Sequence, residues 1–505
     1  MTALLGIDVG TTGAKAVLME PGGGVLAVAT TEYPLLTPRP GWTEQDPAAW
    51  WDACVASIRT VLERSGTQGH GVAAVGLTGQ MHGLVVLDGA GCVLRPAILW
   101  NDQRTAEECA WITEHLGAGR VLELTGNPVL TGFTAPKILW LRRREPEVYA
   151  RSAHVLLPKD YVRYRLSGEL ATDVSDASGT SLFDVRGRSW SAEMLEALEV
   201  PTAWLPRVVE SSSITGAVTA EAAAATGLAA GTPVVGGAGD QAAQAVGTGI
   251  VREGLVSATI GTSGVVFAHT DAFASGAVGR LHVFCHAIPG RWHVMGVMLS
   301  AGGSLRWLRD SLRHDAWRRE GSDPYDLMAA EAAAVPAGAE GLVFLPYLTG
   351  ERTPHADPLA RGAFVGLTLR HGRGHLIRAV MEGVAMGLRD SLEIIRNVGL
   401  PVTQVRVSGG GARSPLWRQI LADVFGTDVV TVTATEGAAY GAALLAGVGA
   451  CVYPSVEAAC DATIAVMERA APTGDSAGTY ESLYRVYRTL YPSLRESVHA
   501  LSRLG

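Results

Sequence analysis

A turn of the form Gly-Thr-(Thr/Ser)-Gly, set between two apolar strands, occurs twice in this chain and limits the folds open to it. The first copy is Gly10-Thr11-Thr12-Gly13, entered from residues 4–9 and left through 16–19. The second is Gly261-Thr262-Ser263-Gly264, between residues 255–260 and 265–268. The copies start 251 positions apart (261 − 10), about half of the 505-residue chain. Four matching residues can arise by chance in a chain with 61 glycines, but the matching flanks and the half-chain spacing favour duplication. Two similar halves, each presenting such a hairpin, predict two lobes facing one another across a cleft. Glycine permits both the turn dihedrals and close approach, so backbone N–H groups in the turns can bind phosphate oxygens.

The rest of the chain reads as α/β. A turn at 21–24 leads into a third strand over 25–29, helical spacing covers 50–63, and an apolar strand covers 71–77. Strands and helices then alternate, which disfavours sandwiches and bundles. The length suits two or three domains. With 41 basic and 49 acidic side chains the net charge is −8, and no basic run occurs, which argues against nucleic acid or an anionic membrane as partner. Only three of the basic residues are lysines (Lys15, Lys137, Lys159), a skew that reflects genome composition and carries little functional information. Six cysteines without a CxxC pair are poor material for a zinc site or a disulfide scaffold. The charge-free run 437–456 is interrupted by glycines, Tyr440 and Pro454 and is too weakly apolar for a membrane span. The opening residues lack a basic n-region, so no signal peptide and a cytoplasmic setting are expected.

Phosphate motifs of other folds are missing: there is no Gly-Lys dipeptide for a Walker A loop, and Gly6-x-Asp8-x-Gly10 is not a dinucleotide fingerprint. Phosphate binding would therefore fall to the paired hairpins. Asp8, beside the first turn, is either a turn carboxylate accepting local N–H bonds or a ligand to hydrated Mg²⁺, which takes one or two carboxylates plus substrate phosphates. Asp240, in a glycine-rich turn ahead of a helix over 242–246, is either an N-cap or a general base for phosphoryl transfer, and the two roles are compatible. The segment 78–83 (Thr-Gly-Gln-Met-His-Gly) follows a strand and is expected at a sheet's carboxyl edge, where α/β proteins bind ligands. His82 there is either structural or a ligand contact. Residues 99–104 (Leu-Trp-Asn-Asp-Gln-Arg) fit a sugar pocket or a capped helix start. Residues 405–414 predict a strand, a triple-glycine turn and then a helix over 415–425, a unit suited to a flat adenine and ribose.

Taken together, these segments resemble the FGGY carbohydrate kinases, members of the actin/hexokinase/Hsp70 ATPase superfamily. Residues 132–140 (Gly-Phe-Thr-Ala-Pro-Lys-Ile-Leu-Trp) resemble the family's first signature, and 362–382, from Gly362-Ala-Phe to Met381-Glu382, resemble its second. Five further motifs, at 42–47, 79–83, 100–102, 157–160 and 350–355, are similar to the xylulokinase branch. The resemblance covers essentially the whole chain. It implies a two-lobed, actin-like (ribonuclease H-like) α/β fold with duplicated domains, expected here over 1–246 and 247–505. A loop at 474–478 is expected before a final helix at about 480–502, free to pack back on either lobe. It further implies ATP and Mg²⁺, with Asp240 as catalytic base and Asp8 serving Mg²⁺ through water. Met81 and His82, with Gln241 assisting, fall where D-xylulose would be contacted; glycerol kinases place an Arg-Glu pair at Met81-His82. Thr11 and Thr12 in the first turn, Thr262 in the second, and Gly302 fall at the ATP phosphates, and Gly410 and Ser414 at adenosine, although related kinases often have Asn at the Ser414 position. A homodimer is compatible with the resemblance. The remaining readings are a kinase for another ketose or pentitol (ribulose, arabitol, gluconate) and an actin- or Hsp70-like ATPase switch.

Overall fold

The computed structural model describes residues 2–312, 314, 317 and 321–504. They form two compact units, one built from 1–251, 270–293 and 434–465, the other from 252–269, 294–433 and 466–505. The segments 270–293 and 434–465 thus join the first unit although they follow residue 246 in sequence.

In the first unit the sheet runs Ile214–Ala217, Pro233–Val235, Val72–Gly79, Ala3–Val9, Gly13–Met19, Val25–Glu32, and the short strand Ala238–Gly239 also pairs with Val72–Gly79. Alternation along the central strand sorts its side chains between two cores. Ala3, Leu5, Ile7 and Val9 pack with Ala14, Ala16 and Leu18 against Trp50 and Ile58 of the helix Pro47–Ser65. That helix is bounded as its sequence dictates: Asp46 accepts the Ala48 N–H, Pro47 opens the first turn and Gly66 closes the last in the left-handed conformation. On the other face Leu4, Val17 and Met19 pack against Ala439 and Ala443 of the helix Gly437–Gly449.

This second helix takes up the first 13 residues of the charge-free run, and its lack of charge follows from burial inside the unit. A Cβ on Gly6 would lie 1.9 Å from Ala439 O, and one on Gly441 would lie 1.8 Å from Ala243 O. Glycine is thus what lets the helix approach both the sheet and the helix Asp240–Gly247 so closely. Among the described residues no helix is long and apolar enough to cross a membrane.

The second unit repeats the arrangement. Gly254–Ile260 pairs antiparallel with Gly264–Thr270 across the second turn and parallel with Val402–Ser408, as Ala3–Val9 pairs with Gly13–Met19 and Val72–Gly79. The fold is therefore α/β with duplicated units, each holding a mixed sheet. The final helix, Gly474–Ser502, belongs to this second unit. Its buried Tyr480, Tyr484 and Tyr491 donate to Glu382, Asp390 and Asp357, and Tyr487 bonds Tyr347. Residues 474–478 are its first turn, not the loop expected from their glycines. Both glycines face open space, so helix there costs only about 1 kcal/mol apiece. The tyrosine row downstream, with the Thr473 N–H held 2.7 Å from Asp423 Oδ1, fixes the start.

Candidate active site

Three strands of the first sheet end side by side, and the sequence candidates stand at that edge. Register places Asp8 opposite Lys15 on one side and Thr78 on the other, and Thr78 in turn opposite Ala238. Lys15 Nζ is 3.1 Å from Glu436 Oε2. Asp8 is half-buried, yet its Oδ1 and the Thr78 Oγ1 are buried with no hydrogen-bond partner among the described residues. Asp8 is therefore not the turn carboxylate saturated by local N–H groups that its position allowed. Burial pushes its pKa up to about 6, against the pull of Lys15.

Asp240 is the first residue of the helix Asp240–Gly247, with Gly239 as N-cap, so the capping reading of Asp240 gives way to a carboxylate in the first turn. It is half-buried, and the Gln241 backbone N–H donates to its Oδ1 at 2.7 Å. Burial, with the like charge of Asp8 second, raises its pKa to about 7, while Gln241 works in the opposite direction. Two carboxylates held close enough to disfavour joint ionisation are a poor structural pair and a serviceable chemical one.

Met81 and His82 lie beside this pair. Met81 is buried, and a Cβ on Gly239 would come within 2.8 Å of its sulfur, so the loop and the residue preceding Asp240 are in close contact. His82 is half-buried with φ 70°, a region that costs a non-glycine residue roughly 1–3 kcal/mol. Its Nδ1 is 2.7 Å from Gly179 O, and its ring stacks on Phe133 with centroids 4.6 Å apart.

In the second unit Thr262, Gly302, Gly410 and Ser414 all line one cavity of about 810 Å³, with Met381 and Trp417 among its walls. The second turn is stapled to the helix Gly302–Leu312: Gly302 N donates to Gly261 O at 2.8 Å, and Ala301 N and Gly303 N donate to Thr262 O. Ser414 caps the helix Pro415–Phe425 by accepting the Trp417 N–H. Thr11 and Thr12 belong to the first unit and do not line this cavity.

Models of the N-terminal and C-terminal domains of the FGGY family of carbohydrate kinases match residues 3–247 and 256–450. The chain belongs to that family. The xylulose kinase of Escherichia coli (strain K12) is 45% identical over 447 residues, 88% of this chain and 90% of that one. The xylulose kinase of Bacillus subtilis (strain 168) is 36% identical over 99% of each chain. Among solved structures, the xylulose kinase from Rhodospirillum rubrum superposes with a TM-score of 0.91 at 34% identity, over 98% of this chain and 100% of that one. The chain is thus an enzyme of the carbohydrate kinase class, with ATP as co-substrate.

In this FGGY chain several residues that carry the site escaped sequence reasoning. The first turn is held by side chains from three distant segments: Tyr33 OH donates to Gly10 O (2.5 Å), Gln80 Nε2 to Gly10 O (3.2 Å) and Gln45 Nε2 to Thr11 O (2.6 Å). Trp100 Nε1 donates to Thr11 Oγ1, whose own proton points to Gln80 Oε1, so the Thr11 hydroxyl is engaged within the unit. Gln45 and Trp100 lie in two of the family-like motifs, which was the available signal. The segment 99–104 is no capped helix start, since the next helix begins at Ala106. There Asp102 and Arg104 form a fully buried pair, with Arg104 Nη2 2.7 Å from Asp102 Oδ2.

Lys159 also finds its place. Its Nζ lies 2.6 Å from Asp160 Oδ1, 2.9 Å from Asp173 Oδ1 and 3.2 Å from Asp176 Oδ2, all buried. Arg163 adds a second cation, and burial drives the Asp176 pKa well up against the pull of Lys159. Asp173 Oδ2 accepts Ser175 Oγ at 2.5 Å, and Ser175 Oγ accepts the Gly239 N–H at 3.1 Å, which ties the cluster to the residue before Asp240.

Proposed function

We propose that this enzyme transfers the γ-phosphoryl group of ATP to the terminal C5 hydroxyl of D-xylulose, giving D-xylulose 5-phosphate and ADP. The observation that carries the reading is the contact of the Met81-His82 loop with the Gly239–Asp240 segment. It sets an apolar and imidazole surface suited to a small sugar beside a carboxylate whose pKa of about 7 fits proton acceptance near neutrality. The choice of D-xylulose rests on the xylulose kinases to which the chain is similar.

Asp240, deprotonated and oriented by Gln241, accepts the O5 proton. O5 forms its bond to the γ-phosphorus as the bond to the β–γ bridging oxygen breaks, and ADP leaves with that electron pair. In a loose transition state the proton can move late, so alignment and charge stabilisation provide most of the rate. The first unit is read as the sugar-holding domain and the second as the ATP domain. Phosphate oxygens are assigned to the turn at Thr262, braced by Gly302, and to the backbone of Thr11 and Thr12; Gly410 and Ser414 are assigned to adenosine. The unpartnered Asp8 Oδ1 and Thr78 Oγ1 are hard oxygen donors of the kind hydrated Mg²⁺ takes, and no cluster of three metal-ligating side chains competes among the described residues. Bound Mg²⁺ would neutralise phosphate charge. Six free cysteines suit a reducing, cytoplasmic setting. Sedimentation would read whether the chain is a homodimer.

Coupled ADP release from MgATP, with D-xylulose set against other ketoses, polyols, gluconate and no sugar, tests the assignment. Fast release with D-xylulose alone is the expected result. Preference for another sugar would overturn the substrate while keeping the role of Asp240, and equal release with and without sugar would overturn the kinase reading.

A further inference from the structure

The lysine of the first signature has no role in the reaction as derived above. Lys137 is wholly buried, and no carboxylate lies within ion-pair distance of it among the described residues. Its Nζ donates to two backbone carbonyls, Gly132 O at 2.6 Å and His82 O at 2.8 Å. Placing an amino group in such surroundings is expensive, and burial brings its pKa down to about 7. An apolar side chain there would take the donor away from both carbonyls, so the lysine's contribution lies in what it bonds.

What it bonds is the residue with the least favourable backbone in the sugar loop. His82 holds φ 70° between glycine-rich neighbours, and such a conformation persists only where surrounding groups over-determine it. Gly179 O holds the imidazole Nδ1 at 2.7 Å, and one short segment supplies further restraints. The Phe133 ring lies against the imidazole, the Thr134 hydroxyl donates to His82 O at 3.1 Å, and Lys137 donates to the same oxygen. Phe133 is the N-cap residue of the helix Thr134–Arg144, which rigidly spaces the other two groups.

We propose that Lys137, with Thr134, is a positioning residue for sugar recognition: by holding the His82 carbonyl it fixes the positive-φ conformation that presents Met81 and His82 to the substrate. This rests on the reading of Met81-His82 as the sugar contact.

The test compares Lys137→Met, Thr134→Val, His82→Gly and the Lys137→Met/His82→Gly double variant in full-length protein. Lys137→Met should raise the KM for D-xylulose at least about tenfold while the KM for ATP changes less than about twofold, because misplacement affects sugar alone. With glycine at 82 there is no strained residue to hold, so adding Lys137→Met should change sugar KM less than about twofold further. A sugar KM unaltered in Lys137→Met, or effects that simply multiply in the double variant, would overturn the proposal. If Lys137→Met does not fold, Thr134→Val decides, with unchanged sugar KM again overturning it. The His82 imidazole NMR signals give a readout independent of sugar identity: they should move in Lys137→Met and Thr134→Val, and unmoved signals refute the positioning role. Wild-type protein that turns over a different sugar would refute only the substrate assignment, and the same comparison would then be run with that sugar.

Discussion

Replacing Asp240 by Ala is expected to lower kcat at least about 10²-fold, the lower end for a general base, as measured in the coupled assay. Because the base works deprotonated, kcat/KM should rise with pH through about 7 and then level off. Asp8→Asn removes a like charge and should move the Asp240 titration, followed by carboxyl NMR, to lower pH. The same shift has a stability consequence of the opposite sign. The folded state favours protonated Asp240 relative to the unfolded chain, where its pKa is 3.8. Stability is therefore lost as pH rises from 3.8 to about 7, and Asp240→Asn should raise Tm at pH 8 but not at pH 3. At this scale the legible residues were those whose meaning is local: Asp8 and Asp240 stand next to glycine turns, and Met81-His82 follows a strand. Thr78, Gln80 and Lys137 lie in segments that the sequence singled out, but their individual roles depend on partners that only tertiary contact supplies.

The apolar runs at 4–9 and 255–260, each leading into a matched glycine turn, revealed both hairpins, since strand pairing there is dictated within a few residues. The triple-glycine unit is strand, turn and helix as its sequence predicts, and the helix spans Pro415–Phe425 as expected, with Ser414 found as its cap. The final helix was read too short because glycine content is a local signal, whereas the buried tyrosines that commit Gly474–Ser502 to helix are bonded to distant carboxylates and to Tyr347. The contact between the helices Asp240–Gly247 and Gly437–Gly449 gives a prediction at this level. Gly441→Ala puts a methyl 1.8 Å from Ala243 O, so the helices must separate. A cost of about 1–3 kcal/mol is expected in denaturant unfolding. Because Asp240 heads one of these helices, kcat should fall as well.

The proposed base belongs to the first unit and the cavity assigned to adenosine to the second, while phosphate contacts are assigned to turns of both. Calorimetry on Asp240→Ala should show ATP affinity within about twofold of wild type, since no group lining the cavity proposed for ATP is touched. Thr262→Ala should weaken ATP while sparing sugar affinity. The order of segments in the first unit has a consequence for how the protein is made. Its sheet is complete once residue 251 has been synthesised, but the helix that covers Leu4, Val17 and Met19 comes from 437–449. About 200 residues separate the two (449 − 251 = 198), which a ribosome adds in roughly 10–40 s. During that interval the nascent chain displays one bare apolar face of a finished sheet, a surface that invites chaperones. A released fragment 1–251 would keep that face open permanently and bind a hydrophobic dye, which the full chain would not.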